Sequence, residues 1–260
     1  MTLDNASAAT SAMLLLLLVF AAQASAAPGK LPSSYKTCKQ NDPDFNGCLK
    51  AALQYAVPSL KKGIPSLGVP SIDPMPFASI KIEHENKQRP VAADLEFDNL
   101  LVYEMSRGSV ESVEMVPGSF RLKAHLRADD PIYMIGTYKV DGKVLVLPIK
   151  GKGACNITTV GLQADLEMWG EPLERDGEVY WNITNFTVKM DLPKVYIHLD
   201  NLFNGDKVLG ENMNKFLNEN VDLVVEELKP AIEMALAATD MDVARRLFSK
   251  VPYNSIFPPS

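Results

Sequence analysis

The sequence predicts an α+β fold: a long C-terminal helix wrapped by a strongly curved antiparallel β-sheet. From about residue 77 to residue 200 apolar and polar residues alternate with period two. From residue 209 to residue 247 the apolar residues recur at steps mostly of three and four. The first period belongs to strands with one dry face and the second to an amphipathic helix. Several of the alternating runs also exceed the five or six residues usual for a strand. Long strands that keep one continuous apolar face must curl around something apolar, and the C-terminal helix is the object available.

The chain begins with an apolar run at residues 12–22 (AMLLLLLVFAA), too short to span a bilayer, followed by small residues that fit A-x-A cleavage near Ala26. Residues 1–26 therefore read as a secretory signal, and residues 27–260 as one mature domain. Of the 260 residues, 47% are hydrophobic and 22% charged, an ordinary globular composition that excludes a disordered or collagen-like chain. Asp4 lies in the leader, so the mature chain carries −5, from 26 basic and 31 acidic residues. That balance opposes sequence-independent binding to nucleic acid or to an anionic membrane, both of which need a cationic surface. No later stretch approaches 18 apolar residues, so stable membrane insertion is not expected.

Cys38 and Cys48 lie ten apart and are expected to form a disulfide in an oxidising compartment, which leaves Cys155 unpaired as a small buried hydrophobe. Asn-x-Ser/Thr sequons at Asn156, Asn182 and Asn185 fit export and glycosylation. Asp42-Pro43 can open a helix, with Phe45, Cys48, Leu49, Ala52 and Ala56 at helical spacing and Pro58 ending it. Residues 63–74 are too rich in Pro and Gly for a helix or a central strand.

The strands follow. Leu95, Phe97, Leu101, Tyr103 and Met105 share one parity. So do Phe120, Leu122, Ala124 and Leu126, then Ile132, Met134, Gly136, Tyr138 and Val140, then Val160, Leu162, Ala164, Leu166 and Met168. Hairpin turns are expected at Asp141-Gly142 and Asp176-Gly177. Between Trp181/Ile183 and Phe186/Val188/Met190 the apolar parity flips, which predicts a β-bulge near Thr184 and Asn185. Asn156 shares the parity of Val160 and Leu162, so an unbroken strand would turn that sequon inward. The helical stripe runs through Leu209, Met213, Phe216, Leu217, Val221, Val224, Leu228, Ile232, Leu236, Val243 and Leu247. Pro230 is expected to kink it, and Thr239 with Asp242 to cap a second segment.

Residues that could carry chemistry fall away one by one. Residues 42–47 (DPDFNG) open like a calcium loop, but its twelfth position holds Leu53 in place of a bidentate Glu. There is no G-x-S-x-G, and His84-Glu85 is followed by Gln88 where a zinc pair needs His. His84, His125 and His198 are scattered, and Gly151-Lys152-Gly153 lacks P-loop spacing and reads as a bend between two strands. Arg121, Lys123 and Arg127 form a solvated face. No catalytic residue, metal or cofactor is expected. What is left is an excess of apolar surface, with methionines that suit varied guests.

Seven features resemble one family across nearly the whole mature chain, the insect takeout and haemolymph juvenile hormone-binding proteins. They are the Cys38/Cys48 pair and residues 63–74 (GIPSLGVPSIDP), 136–143 (GTYKVDGK), 147–153 (LPIKGKG), 198–206 (HLDNLFNGD), 213–218 (MNKFLN) and 227–230 (ELKP). The resemblance implies an elongated hydrophobic tunnel between sheet and helix that holds a lipid-like ligand. It also implies secretion, and a link in some members to circadian and feeding physiology. The hormone-binding branch has a second disulfide, which this chain cannot form, so the takeout-like branch is expected.

The expected function is a secreted, monomeric carrier of a hydrophobic small molecule such as a terpenoid or a fatty-acid-like lipid. Its expected tunnel lining is Phe97, Leu101, Tyr103, Phe120, Leu122, Tyr138, Leu162, Leu166, Met168, Phe186 and Met190, facing Met213, Phe216, Val224 and Leu228. The segment after Gly63 and residues 203–210 are expected lids. A juvenile hormone carrier proper, a secreted hydrolase, and an interaction glycoprotein with a filled interior are the alternatives.

Overall fold

The computed structural model describes residues 28–77, 79–82 and 90–260. The expected leader, its cleavage site and His84 lie outside the described residues. Helix α1 (Phe45–Ser59) is capped by Asp44, whose carboxylate accepts from the Gly47 N–H at 3.2 Å. The expected cap, Asp42, instead accepts from the Asp44 N–H at 2.9 Å, and the helix runs through Pro58 to Ser59. The Cys38–Cys48 disulfide ties the preceding segment to this helix.

Ten antiparallel strands follow among the described residues: β1 (Met75–Phe77), β2 (Ile80–Ile82), β3 (Val91–Tyr103), β4 (Ser109–Met115), β5 (Arg121–Ala128), β6 (Ile132–Val144), β7 (Leu147–Val160), β8 (Leu162–Arg175), β9 (Glu178–Asp191) and β10 (Lys194–Leu199). They form two sheets where the sequence suggested one. The larger has the order β1-β3-β6-β7-β10, with β2 also on β3, and the smaller β4-β5-β8-β9. Gly161, at φ 77°, takes the chain from β7 in one sheet to β8 in the other. Then come α2 (Lys207–Glu219), the 28-residue α3 (Val221–Phe248) and the short α4 (Tyr253–Ile256).

Two exposed sheet edges would present unpaired backbone groups, and helices cover both with amide side chains. On β4, Asn46 and Gln54 of α1 accept from the N–H groups of Met115 and Val110 at 2.9 and 2.7 Å. On β10, Asn214 and Asn218 of α2 each accept from and donate to the backbone, of Leu199 and Ile197 respectively, at 2.7–2.9 Å. The 213–218 block is therefore an edge cap. Its two asparagines stand one helical turn apart to match two outward-facing ladder positions two residues apart on the strand.

Several expectations are corrected. In β3 the register shifts between Asp98 and Leu101, with Asn99 at φ 53°, so the inward residues beyond it are Leu100 and Val102. One inserted residue reverses every side chain after it. The turn of the β6–β7 hairpin lies at Leu145-Val146, beyond Asp141-Gly142. Gly142 lies inside β6, where a Cβ would stand 2.4 Å from the Ala92 carbonyl and the Ala93 Cα, so the position needs glycine for close approach. Gly151 and Gly153 do not separate two strands either, since both lie inside β7. The C-terminal helical region breaks at Asn220, whose backbone (φ −118°, ψ 27°) leaves the helix and whose side chain donates to the Phe216 carbonyl at 2.8 Å. Pro230 lies inside α3, and Thr239 donates back to the Ala235 carbonyl within it instead of capping a new segment. Leu209, at the start of the expected stripe, is 51% exposed; α2 turns Gly210, Met213 and Leu217 inward.

The Asp176-Gly177 turn is as expected, with both residues at positive φ. So is the β9 bulge: Trp169 pairs with Asn185 and Gly170 with Ile183, which leaves Thr184 extra.

Candidate functional site

The interior lies between the inner faces of the two sheets and helix α3, and its buried residues fall into separate clusters. Buried residues of the larger sheet form one cluster with Met213, Leu217, Val224 and Leu228. Ala164, Val188 and Met190 of β8 and β9 form another. Among the described residues, Leu162, Ile232 and Leu236 are the partly buried hydrophobics that pack against both. Each keeps accessible surface.

A further cluster is a plug of packed rings. Phe120, Trp181, Phe248, Tyr253 and Phe257 pack at centroid separations of 4.8 to 6.4 Å, with Phe45 beside Phe257 at 6.1 Å. Mixed edge-to-face and tilted contacts of this kind fill space and hold it. Backbone and side-chain bonds from Gln40 to Pro258, Phe257 and Asn254 fasten the N-terminal segment over this plug.

Thirteen of the fifteen expected lining residues lie in or against these interior clusters. Phe97, Tyr138, Met213, Phe216, Val224 and Leu228 belong with the larger sheet. Leu122 and Met168 lie with the ring plug, Phe120 within it, and Leu166 and Met190 with β8 and β9. Leu162 and Phe186 each touch two clusters. Leu101 and Tyr103 do not join them, because the β3 bulge gives their places to Leu100 and Val102.

Tyr138 is held as part of the frame. Its hydroxyl donates to the Asp200 carbonyl at 2.7 Å, and burial, with the Asp200 charge next, raises its pKa to about 12. Gly151 and Gly153 leave room for this junction: a Cβ on Gly151 would stand 2.7 Å from the Tyr138 hydroxyl, and one on Gly153 2.4 Å from the Asp200 carbonyl. Asn201 donates to the Lys152 carbonyl at 2.8 Å. The 136–143, 147–153 and 198–206 blocks thus meet at one place. Asp73, in the 63–74 block, is likewise structural. Burial favours its neutral form, yet hydrogen bonds from the Ser106 hydroxyl (2.5 Å) and the Glu104 N–H (3.0 Å), with Lys61 nearby, hold its pKa below the ordinary value.

Cys155 is buried and free, and burial raises its thiol to about 11, which keeps it protonated near neutral pH. Arg121 pairs with Glu167, Arg127 with Asp129 and His125 with Asp165, so that face is solvated and internally balanced. Asn156, Asn182 and Asn185 are all exposed. Asn156 points outward because Cys155 and Ile157 take the inner parity of β7, and Gly161 resets the parity before Leu162.

Two acids on the inner face of α3 escaped the apolar pattern. Glu233 is 5% exposed, accepting from Lys189 at 2.8 Å and from the Met190 N–H at 2.9 Å. Asp240, two turns on, has no hydrogen-bond or ion-pair partner among the described residues. The stripe jumps seven positions from Leu236 to Val243, and the missing step is Asp240; that gap was the available signal.

The sequence model of the family described as "Haemolymph juvenile hormone binding protein (JHBP)" matches residues 14–258. The circadian clock-controlled protein daywake of Drosophila melanogaster is 28% identical over 233 residues, covering 87% of this chain and 88% of the relative. A Schistocerca gregaria protein named "Putative beta-carotene-binding protein" is 22% identical over 224 residues, covering 86% and 88%. The crystal structure of Epiphyas postvittana Takeout 1 superposes with a TM-score of 0.75 at 22% identity, over 85% of this chain and 99% of that one. It shares the fold.

Proposed function

Because the chain belongs to the haemolymph juvenile hormone binding protein family, we propose that it is a secreted carrier that holds a hydrophobic small molecule in an elongated space between its sheets and α3, without covalent chemistry. The observation that carries this reading is the divided interior: Leu162, Ile232 and Leu236 bridge two buried clusters yet keep accessible surface. A guest covering that surface would be drawn in by removal of its alkyl chain from water. At about 0.8 kcal/mol per methylene, ~12 carbons give a gross term near ~10 kcal/mol. Association and ordering costs offset part of it, leaving micromolar to nanomolar affinity.

The tunnel lining in this reading is the expected set without Leu101 and Tyr103, and with Leu100 and Val102 framing it. Terpenoid and fatty-acid-like guests fit such a lining. The name of the Drosophila relative supports a link to circadian physiology, and that of the locust relative supports a lipid guest. No helix of the described residues is long and apolar enough to cross a membrane. In this reading the protein is exported as a monomer and glycosylated at the outward sequons. The test is mild purification, solvent extraction and mass spectrometry. A stoichiometric apolar molecule is the expected result. An empty protein that also binds no alkyl probe, while capturing a specific protein partner, would replace the carrier with an interaction glycoprotein.

A further inference from the structure

The helix α3 seam contains a polar group that the carrier reading leaves unused. Within one turn on either side, Asp240 is flanked by Leu236 and Ala237 before it and Val243 and Ala244 after it. All four pack against interior clusters, and between them they touch all four clusters of the molecule. Glu233 and Leu247, two turns away on either side, also face inward. Met234, Ala238, Asp242, Arg245 and Arg246 are exposed on the opposite arc. Helical geometry therefore puts Asp240 at the centre of the inward face. Glu233 on the same line is satisfied by β9; Asp240 has no partner among the described residues.

A partnerless carboxyl in apolar surroundings is costly unless something completes it. Asp240 keeps part of its surface accessible, while the protein around it is dense enough that burial raises its pKa to about 7. Dense surroundings and accessible surface together describe a group that lines an enclosed space. Below about pH 7 such a group mostly carries a proton to donate.

We propose that Asp240 anchors the head of the guest, hydrogen-bonding an uncharged oxygen group, a hydroxyl or carbonyl, on an otherwise hydrocarbon ligand. This rests on the carrier reading and names its ligand class: amphiphiles with one neutral polar end, in preference to pure hydrocarbons or cations. The remaining lining needs only to be apolar, since the carboxyl fixes the direction in which the guest lies.

The test uses the purified full chain, freed of endogenous lipid, and displacement of the fluorescent probe N-phenyl-1-naphthylamine by tetradecane, 1-tetradecanol and tetradecyltrimethylammonium. Asp240→Leu should weaken tetradecanol about ten-fold while leaving tetradecane unchanged or tighter. Asp240→Asn, close in shape and still able to donate, should keep tetradecanol within about three-fold. Equal effects of Asp240→Leu on alcohol and alkane, or none on either, would overturn the anchor and leave the carrier standing. A larger loss for the ammonium than for the alcohol would overturn the neutral-head assignment. If the wild-type chain displaces probe with none of the three, the carrier reading fails first.

Discussion

Replacing Asp240 with Asn isolates the cost of folding an acid into an apolar seam. The unfolded chain ionises this carboxyl near 3.8, while burial holds it protonated in the folded chain up to about 7. Between those values the folded state binds more protons than the unfolded one, so stability falls as pH rises. Below about pH 4 both states are protonated and no difference remains; above about 7 the loss is complete. Three pKa units at roughly 1.4 kcal/mol each set a ceiling of about 4 kcal/mol. Asn does not titrate, so the variant lacks this slope. Urea unfolding of the lipid-free protein at pH 4.5, 5.5, 6.5 and 7.5 should show wild type and Asp240→Asn converging at the acid end. Toward neutrality the variant should gain the advantage, at up to about 1.4 kcal/mol per pH unit. Lipid must be removed first, because a guest bound to the native state would stabilise it independently. A difference that is flat with pH, or a wild type that outlasts the variant at pH 7.5, would show that the carboxylate is stabilised in the fold, and the reasoning would fail.

Other outcomes follow from the frame. Asn214→Ala and Asn218→Ala should each lower stability by about 1–3 kcal/mol, by stranding backbone groups of Leu199 and Ile197, with Asn218→Asp recovering only the accepting half; urea midpoints will show it. Reducing Cys38–Cys48, or replacing both by Ser, should cost roughly 2–3 kcal/mol and increase proteolysis ahead of α1. Gly153→Ala should be more damaging than Tyr138→Phe. The first drives a Cβ into the Asp200 backbone, whereas the second removes one hydrogen bond worth about 1 kcal/mol; differential scanning calorimetry ranks them. Glycopeptide mapping should find glycan at Asn156, whose outward placement removes the conflict with strand parity.

The sequence carries the class of the fold because period two and period 3.6 are local signals that hold over long runs. It also carries the β9 bulge, since the parity flip between Ile183 and Phe186 is visible in the apolar residues themselves. The β3 bulge was not legible: Leu100 and Leu101 are adjacent leucines, so either parity satisfies the pattern and only Asn99 hints at the kink. Gly151 and Gly153 misled for a related reason. A glycine required by close approach looks the same in sequence as one required by a bend, and here the approaching backbone is that of residues 200–202, far along the chain. The helix break at Asn220 was hidden behind the louder signal of Pro230, although an asparagine able to bond back to Phe216 is enough to end a helix. Of the candidate site, the greasy lining was readable as dry-face parity. Asp240 was readable only as a gap in the stripe, because a search for repeating apolar residues does not ask what occupies the skipped position.

The ring plug is assembled from segments far apart in the sequence, with Phe45 from α1, Trp181 from β9, Tyr253 from α4 and Phe257 just after it. A ribosome delivers these pieces in order, so Trp181 and the first helix wait without these partners until residues 253–257 emerge. The packing around Trp181 is thus completed late: a product that stops before Tyr253 would lack both Tyr253 and Phe257 and leave the Trp181 and Phe45 rings without these partners.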